Sequence, residues 1–142
     1  MNVDTFEIVI PGVNTECGLR LCSGKKKLYV QSLRLFAASI PAVLAGIHAF
    51  FQIPDITEKD LKNFSTGVHS IKSMCDYIGA EDARKTARQL EDMADSGDLK
   101  GVLDQSDDFL KQIEKIAGSV QIWLDNNGDL IGAMPNTERN NG

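Results

Sequence analysis

The sequence predicts an all-α fold, an antiparallel up-down four-helix bundle with a short extra helix at the N-terminus. Apolar residues recur at intervals of three and four along most of the 142-residue chain, which is the spacing of helices with one buried face. No segment long enough to form a strand shows the alternation of apolar and polar residues that is typical of β-strands. The connections between the helical segments are short, and short connections join antiparallel neighbours in a bundle.

The N-terminal segment, residues 1–24, is predicted to contain the short helix and to pack on the bundle. Asn14 can cap this helix, which continues through Leu21 and stops at Ser23-Gly24.

The first long helix is predicted from about Leu28 to Phe51. Pro41 is expected to kink it rather than end it, because the apolar stripe resumes in phase beyond the proline. The residues of this stripe are Leu33, Phe36, Ile40, Val43, Ile47 and Phe50.

The next helix is predicted from Glu58 to about Ile78. Thr57 and Asp60 resemble a capping box at its start, and Gly79 supplies a left-handed cap at its end. Its stripe alternates intervals of three and four through Leu61, Phe64, Val68, Ile71, Cys75 and Ile78.

Two more helices complete the bundle, which is predicted to occupy residues 25–125. One extends from Glu81 to Ser96, and the other starts near Asp98. Asn126-Asn127-Gly128 breaks the last helix, and residues 126–142 are expected to form a polar, flexible tail.

Composition excludes several classes of function. The net charge of −5 and the absence of a basic stripe argue against nucleic-acid binding, since the run of lysines at 25–27 is too short for it. Three cysteines cannot all pair, which indicates reduced thiols and a cytoplasmic location. Asp4 and Glu7 lie where a signal peptide would be basic or apolar.

The segment from Leu35 to Pro54 lacks charged residues and is long enough to span about 30 Å of hydrocarbon. Insertion would bury His48 and place Pro41 inside the membrane. A soluble helix with one buried side is therefore predicted, without membrane insertion.

A candidate site lies on the helix from Glu58 to Ile78. At about 100° per residue, His69 falls outside the apolar stripe, with Lys72 one turn further on and Asp76 on the same side. Ser65 and Ser73 lie one turn before and one turn after the histidine. The alternative is that this is an ordinary solvated helix face.

The following helix brings a carboxylate to the same level. In a hairpin centred on Ala80, His69 lies eleven residues before the centre and Glu91 eleven after it. The carboxylate of Glu91 can accept a hydrogen bond from Nδ1–H of the histidine, which leaves Nε2 as the nucleophile.

The first long helix has a second, uncharged face on the side opposite its apolar stripe. This face consists of Ala38, Ala42, Ala45 and Ala49. Such a face suits a docking surface. The alternative left open is that a fifth helix or the N-terminal segment covers it.

The motif around the histidine resembles the histidine-containing phosphotransfer (HPt) domain family, most closely the HPt domains of hybrid sensor histidine kinases. The resemblance covers roughly residues 8 to 120. The segments that carry it are His69-Ser70-Ile71-Lys72-Ser73, Ile78-Gly79-Ala80, Leu90-Glu91, the lead-in Ile10-Pro11-Gly12 and Gly97-Asp98-Leu99.

The resemblance implies roles for individual residues. His69 would be phosphorylated, Lys72 would offset the charge of the phosphoryl group, and Glu91 would orient the histidine. Ser73 replaces the usual glycine, and Asp76 replaces a tiny residue. Asp76 is expected either to pair with Lys72 or to repel an acidic receiver pocket. The partner-binding surface is expected to comprise Ser65, Ser73, Asp76, Ala38, Ala42 and Ala45.

The function implied is that of a phosphorelay intermediate in two-component signalling. It would accept a phosphoryl group from the aspartate of one response-regulator receiver domain and pass it to another, with a hybrid sensor histidine kinase as a further partner. This chain would hold no cofactor, since the magnesium ion is expected in the receiver. It lacks a glycine-rich phosphate loop, so autonomous kinase activity is not expected.

Two alternatives belong to other classes. The first is a non-phosphorylated helical adaptor that binds a partner through its alanine-rich face. The second, a hydrolase or metal enzyme, has little support because the chain has only two histidines and no HExxH motif. The sequence leaves open whether the chain is free-standing or part of a hybrid kinase.

Overall fold

The computed structural model describes residues 7–127, which form five α-helices and the turns between them. The helices are α1 (Thr15–Leu21), α2 (Lys26–Phe50), α3 (Glu58–Ile78), α4 (Glu81–Asp95) and α5 (Leu99–Asn126). No residue from 7 to 127 lies in a strand. The all-α prediction is confirmed.

Helices α2 to α5 form the bundle. Each packs against its neighbours in the order α2, α3, α4, α5, and α5 returns to contact α2. The core contains large side chains from all four helices, including Tyr29, Phe36, Ile71, Leu90 and Phe109, all at most 1% exposed. This closed arrangement fixes the faces of α3 and α4 relative to each other.

The short helix α1 packs on the turn between α3 and α4. The amide of Asn14 donates to the carbonyl of Gly79 at 2.8 Å. Gly79 has φ of +87°, and a Cβ there would lie 2.1 Å from the carbonyl oxygen of Asn14. The contact therefore requires glycine at this position both for conformation and for space.

The ends of α3 are built as the sequence predicts. The amide of Thr57 donates to the Asp60 carboxylate at 2.8 Å, and the amide of Asp60 donates to Thr57 Oγ1 at 3.2 Å. This reciprocal capping box and the left-handed Gly79 delimit the helix that carries the histidine.

Helix α2 begins two residues earlier than predicted, at Lys26, and continues through Pro41. The predicted stripe omitted Leu44, which is buried, whereas Val43 packs against the core but is only partly buried. At 100° per residue, Leu44 lies further than Val43 from the centre of the predicted stripe. The neighbouring helices decide between them, because Val43 lines an open groove beside α3.

Within residues 7–127, α2 is the one helix that is long and apolar enough to cross a membrane. Its stripe of Leu33, Phe36 and Ile40 is buried in the bundle. The predicted flexible tail lies, from residue 128 onward, outside the described residues.

Candidate functional site

The histidine of the candidate site lies in the middle of α3 with its ring in solvent. The side chain of His69 is 57% exposed. Its neighbours in sequence, Val68 and Ile71, are fully buried. The apolar stripe therefore anchors the helix while the imidazole points away from the core.

Glu91 of α4 contacts this imidazole directly. Its Oε2 lies 2.6 Å from Nδ1 of His69, and its side chain is only 15% exposed. The predicted proximity of the two residues is confirmed. When Nδ1 carries the proton and donates it to the carboxylate, Nε2 keeps its lone pair.

The same carboxylate binds an ammonium group through its other oxygen. Nζ of Lys72 lies 2.5 Å from Oε1 of Glu91. Partial burial raises the pKa of the Glu91 carboxyl, but the hydrogen bonds from Lys72 and His69 outweigh it and leave this pKa below its ordinary value. Glu91 is therefore ionised at neutral pH, and its carboxylate can accept a charge-assisted hydrogen bond from Nδ1–H.

Ser65 does not lie on the exposed face beside the histidine. It is 7% exposed, and its hydroxyl donates to Oδ1 of Asp95 on α4 at 2.6 Å. Its assignment to the partner-binding surface is wrong, because this side of α3 is covered by α4. The pair lies one turn away from the contact between His69 and Glu91 and joins the same two helices.

Of the two alternatives for Asp76, the pairing with Lys72 is not formed, because Lys72 pairs with Glu91. Lys72 turns towards α4 and pairs with Glu91, whose side chain is 15% exposed, rather than with the more exposed Asp76. Asp76 instead lies 3.5 Å from Nε of Arg84 and remains 65% exposed. Ser73, on the same helix face, is partly buried.

The alanine-rich face of α2 is open to solvent. Ala38, Ala42, Ala45 and Ala49 are all exposed, so no described residue of the N-terminal segment covers them. Next to this face, an open groove of about 490 Å³ separates α2 from α3.

Sequence reasoning missed this groove. It exists because small residues face each other: Gly46 lines it from α2 and Gly67 from α3. A Cβ at Gly67 would lie 3.5 Å from Cγ1 of Ile47, so the two helices approach closely below the groove. Glycines inside two neighbouring helical patterns were the signal that could have revealed it.

Comparison with known families agrees with this geometry. The model of the Hpt domain matches residues 31–126, which include the whole of α3, α4 and α5 and all but the first five residues of α2. The chain belongs to the Hpt domain family. Hpt domains carry out histidine phosphotransfer in two-component phosphorelays, where they interact with receiver domains and kinases. Comparisons with curated proteins and with solved structures give no match.

This Hpt domain contains a second exposed histidine. Nε2 of His48 on α2 lies 3.3 Å from Oε1 of Glu114 on α5, and the side chains are 56% and 52% exposed. Within residues 7–127, no group of three or more histidine, cysteine or acidic side chains is arranged to hold a metal ion.

Proposed function

We propose that this Hpt domain is a phosphorelay intermediate that carries a phosphoryl group on Nε2 of His69. It accepts the group from the aspartyl phosphate of one receiver domain and passes it to the aspartate of another. The observation that supports this best is an exposed imidazole whose Nδ1 lies 2.6 Å from an ionised, partly buried carboxylate.

The transfer needs a nucleophile with a free lone pair. Nε2 attacks the phosphorus atom, a nitrogen–phosphorus bond forms, and the bond from phosphorus to the aspartate oxygen breaks. The electron pair leaves with the aspartate carboxylate. Glu91 accepts a hydrogen bond from Nδ1–H throughout and stabilises the positive charge that the ring gains when Nε2 is substituted.

Lys72 contributes charge next to the site. Its ammonium keeps Glu91 ionised. It also adds a positive potential near the place where the three negatively charged phosphoryl oxygens will lie. The magnesium ion that neutralises the rest of this charge is proposed to belong to the receiver domain. The protein is thus a phosphotransfer protein without kinase activity of its own.

The surface proposed to receive the partner surrounds the exposed imidazole. It comprises Ala38, Ala42 and Ala45 of α2 together with Ser73 and Asp76 of α3. The uncharged α2 face can pack against an apolar patch without leaving a buried charge. Asp76, which is 65% exposed, disfavours receivers with acidic residues opposite it.

We further propose that residues 25–125 are the phosphotransfer bundle, with residues 7–24 packed against it. Residues 1–6 of the predicted N-terminal segment lie outside the described residues. A response-regulator receiver and a hybrid sensor histidine kinase are the proposed partners, and the cytoplasm is the proposed location. Free thiols at Cys17, Cys22 and Cys75 are consistent with that compartment.

The test is transfer from a receiver domain. A receiver is phosphorylated with labelled acetyl phosphate, freed of donor and mixed with this protein. The expected result is label on this chain that is lost in acid and retained in base, as for phosphohistidine. Failure to acquire label from any of a panel of receivers that transfer to other Hpt domains contradicts the proposal.

A second candidate, a non-phosphorylated adaptor, is favoured by one observation, the exposure of the alanine face. It predicts that a partner binds this chain with the same affinity whether or not His69 is replaced by glutamine, and that no label is transferred. The phosphorelay proposal predicts transfer that requires His69.

A further inference from the structure

Four hydroxyl groups lie within about one turn of His69 along α3. Three of them are committed to other groups: Ser65 donates to a carboxylate of α4, and Thr66 and Ser70 donate to backbone carbonyls one turn earlier. The hydroxyl of Ser73 makes no hydrogen bond to any of residues 7–127. It is therefore the one donor in this set that is available to a new group.

The position of Ser73 directs it towards the imidazole. Side chains of a helix lean towards its N-terminus, so a residue lies over the one four positions earlier. At 100° per residue, Lys72 and Ser73 lie on opposite sides of His69. Lys72 is held by Glu91 on the α4 side, whereas Ser73 lies on the side turned away from α4.

We infer that the hydroxyl of Ser73 donates a hydrogen bond to a phosphoryl oxygen when His69 is phosphorylated on Nε2. This inference rests on the proposed function and names one donor that holds the transferred group. Because Nδ1 faces Glu91 at 2.6 Å, the phosphoryl group on Nε2 projects away from α4. Lys72 would have to leave Glu91 to reach it, whereas Ser73 has no partner to lose.

Such a donor favours the fully ionised phosphoryl group and stabilises phosphohistidine relative to aspartyl phosphate. A single hydrogen bond to a charged group changes an equilibrium by about tenfold or more. Replacing Ser73 with alanine should therefore raise the second pKa of the phosphoryl group and shift the transfer equilibrium towards the receiver by that factor.

The experiment uses the intact protein without a partner, so that docking does not enter the result. His69 is phosphorylated with phosphoramidate, and the phosphoryl resonance is followed by ³¹P NMR as the pH is varied. Ser73→Ala is compared with Ser73→Thr, which keeps the hydroxyl, and with Ser70→Ala, which removes a hydroxyl that donates to Thr66.

The expected result is a raised phosphoryl pKa in Ser73→Ala alone, with Ser73→Thr and Ser70→Ala close to the wild type. An unchanged pKa in Ser73→Ala, or an equal rise in Ser70→Ala, overturns the role of Ser73. If wild-type His69 takes no phosphoryl group from either phosphoramidate or a receiver, the proposed function is overturned, and this inference with it.

Discussion

The two histidines of this Hpt domain have almost the same exposure but very different surroundings. The side chains of His69 and His48 are 57% and 56% exposed, and each contacts a glutamate on a neighbouring helix. The glutamate beside His69 is 15% exposed, whereas the one beside His48 is 52% exposed. Lys72 binds the first glutamate, and no cation forms an ion pair with the second among residues 7–127.

The nitrogen atoms used also differ. His69 contacts its glutamate through Nδ1 at 2.6 Å, and His48 does so through Nε2 at 3.3 Å. A partly buried carboxylate that is held by a second donor fixes the ring, while an exposed carboxylate exchanges its contact with water. Exposure alone therefore does not distinguish the two histidines, and we propose that the partly buried acceptor behind the ring makes His69 the phosphorylation site.

The largest effect is expected from replacing the histidines themselves. His69→Gln should abolish phosphate acceptance, because no nucleophilic nitrogen remains at the site. His48→Gln should accept phosphate at the wild-type rate. Transfer from a labelled receiver measures both, with circular dichroism to show that the fold is intact. Label that persists in His69→Gln would show that His69 is not the residue that accepts the phosphoryl group.

Replacing the glutamate beside each histidine should also affect transfer at His69 and not at His48, but by a smaller factor. Glu91→Ala should slow transfer about tenfold or more, since a hydrogen bond to a charged group is lost beside the reacting ring. Glu91→Gln, whose carbonyl still accepts from Nδ1–H, should lie between. Glu114→Ala is the matched control, and single-turnover transfer rates are the measurement. Equal rates in the two alanine variants would contradict the distinction drawn between the glutamates.

The cation that distinguishes the two sites should matter less. Lys72→Ala should slow transfer several-fold without eliminating it, because Glu91 still contacts the ring and the receiver still supplies its metal ion. Lys72→Arg, which keeps the charge, should recover part of the rate. A Lys72→Ala variant that transfers at the full wild-type rate would refute the role of Lys72.

The smallest effect is one of stability in acid. The pKa of Glu91 is lowered by Lys72 and His69 against the opposing effect of burial. Its ionised form therefore stabilises the fold above the ordinary carboxyl pKa, and this stability is lost as the pH falls through the lowered value. Urea unfolding from neutral to acidic pH should show a shallower loss in Glu91→Gln than in Glu114→Gln. Identical pH profiles would argue against the ion pair.

Much of this site could be predicted because it depends on spacing within one hairpin. Counting eleven residues either side of Ala80 places Glu91 beside His69 without knowledge of the other helices. The capping box of Thr57 and Asp60 is likewise local. Such features depend on helix geometry, which the sequence pattern determines.

The predictions that failed concern side chains whose contacts depend on the packing of a neighbouring helix. Ser65 lies one turn from His69, yet its burial depends on how far α4 extends over that side of α3. Lys72 had two carboxylates within reach, Asp76 on its own helix and Glu91 on the next, and interhelical packing decided for Glu91. Val43 is less buried than Leu44 because Val43 lines the open groove between α2 and α3.

The most direct measurement locates the phosphoryl group on a single nitrogen. Protein labelled with ¹⁵N at histidine is phosphorylated by a receiver, and the phosphorus-coupled nitrogen is identified by heteronuclear NMR. The account predicts coupling to Nε2 of His69 with Nδ1 still protonated. Coupling to Nδ1 of His69, or to either nitrogen of His48, would contradict it.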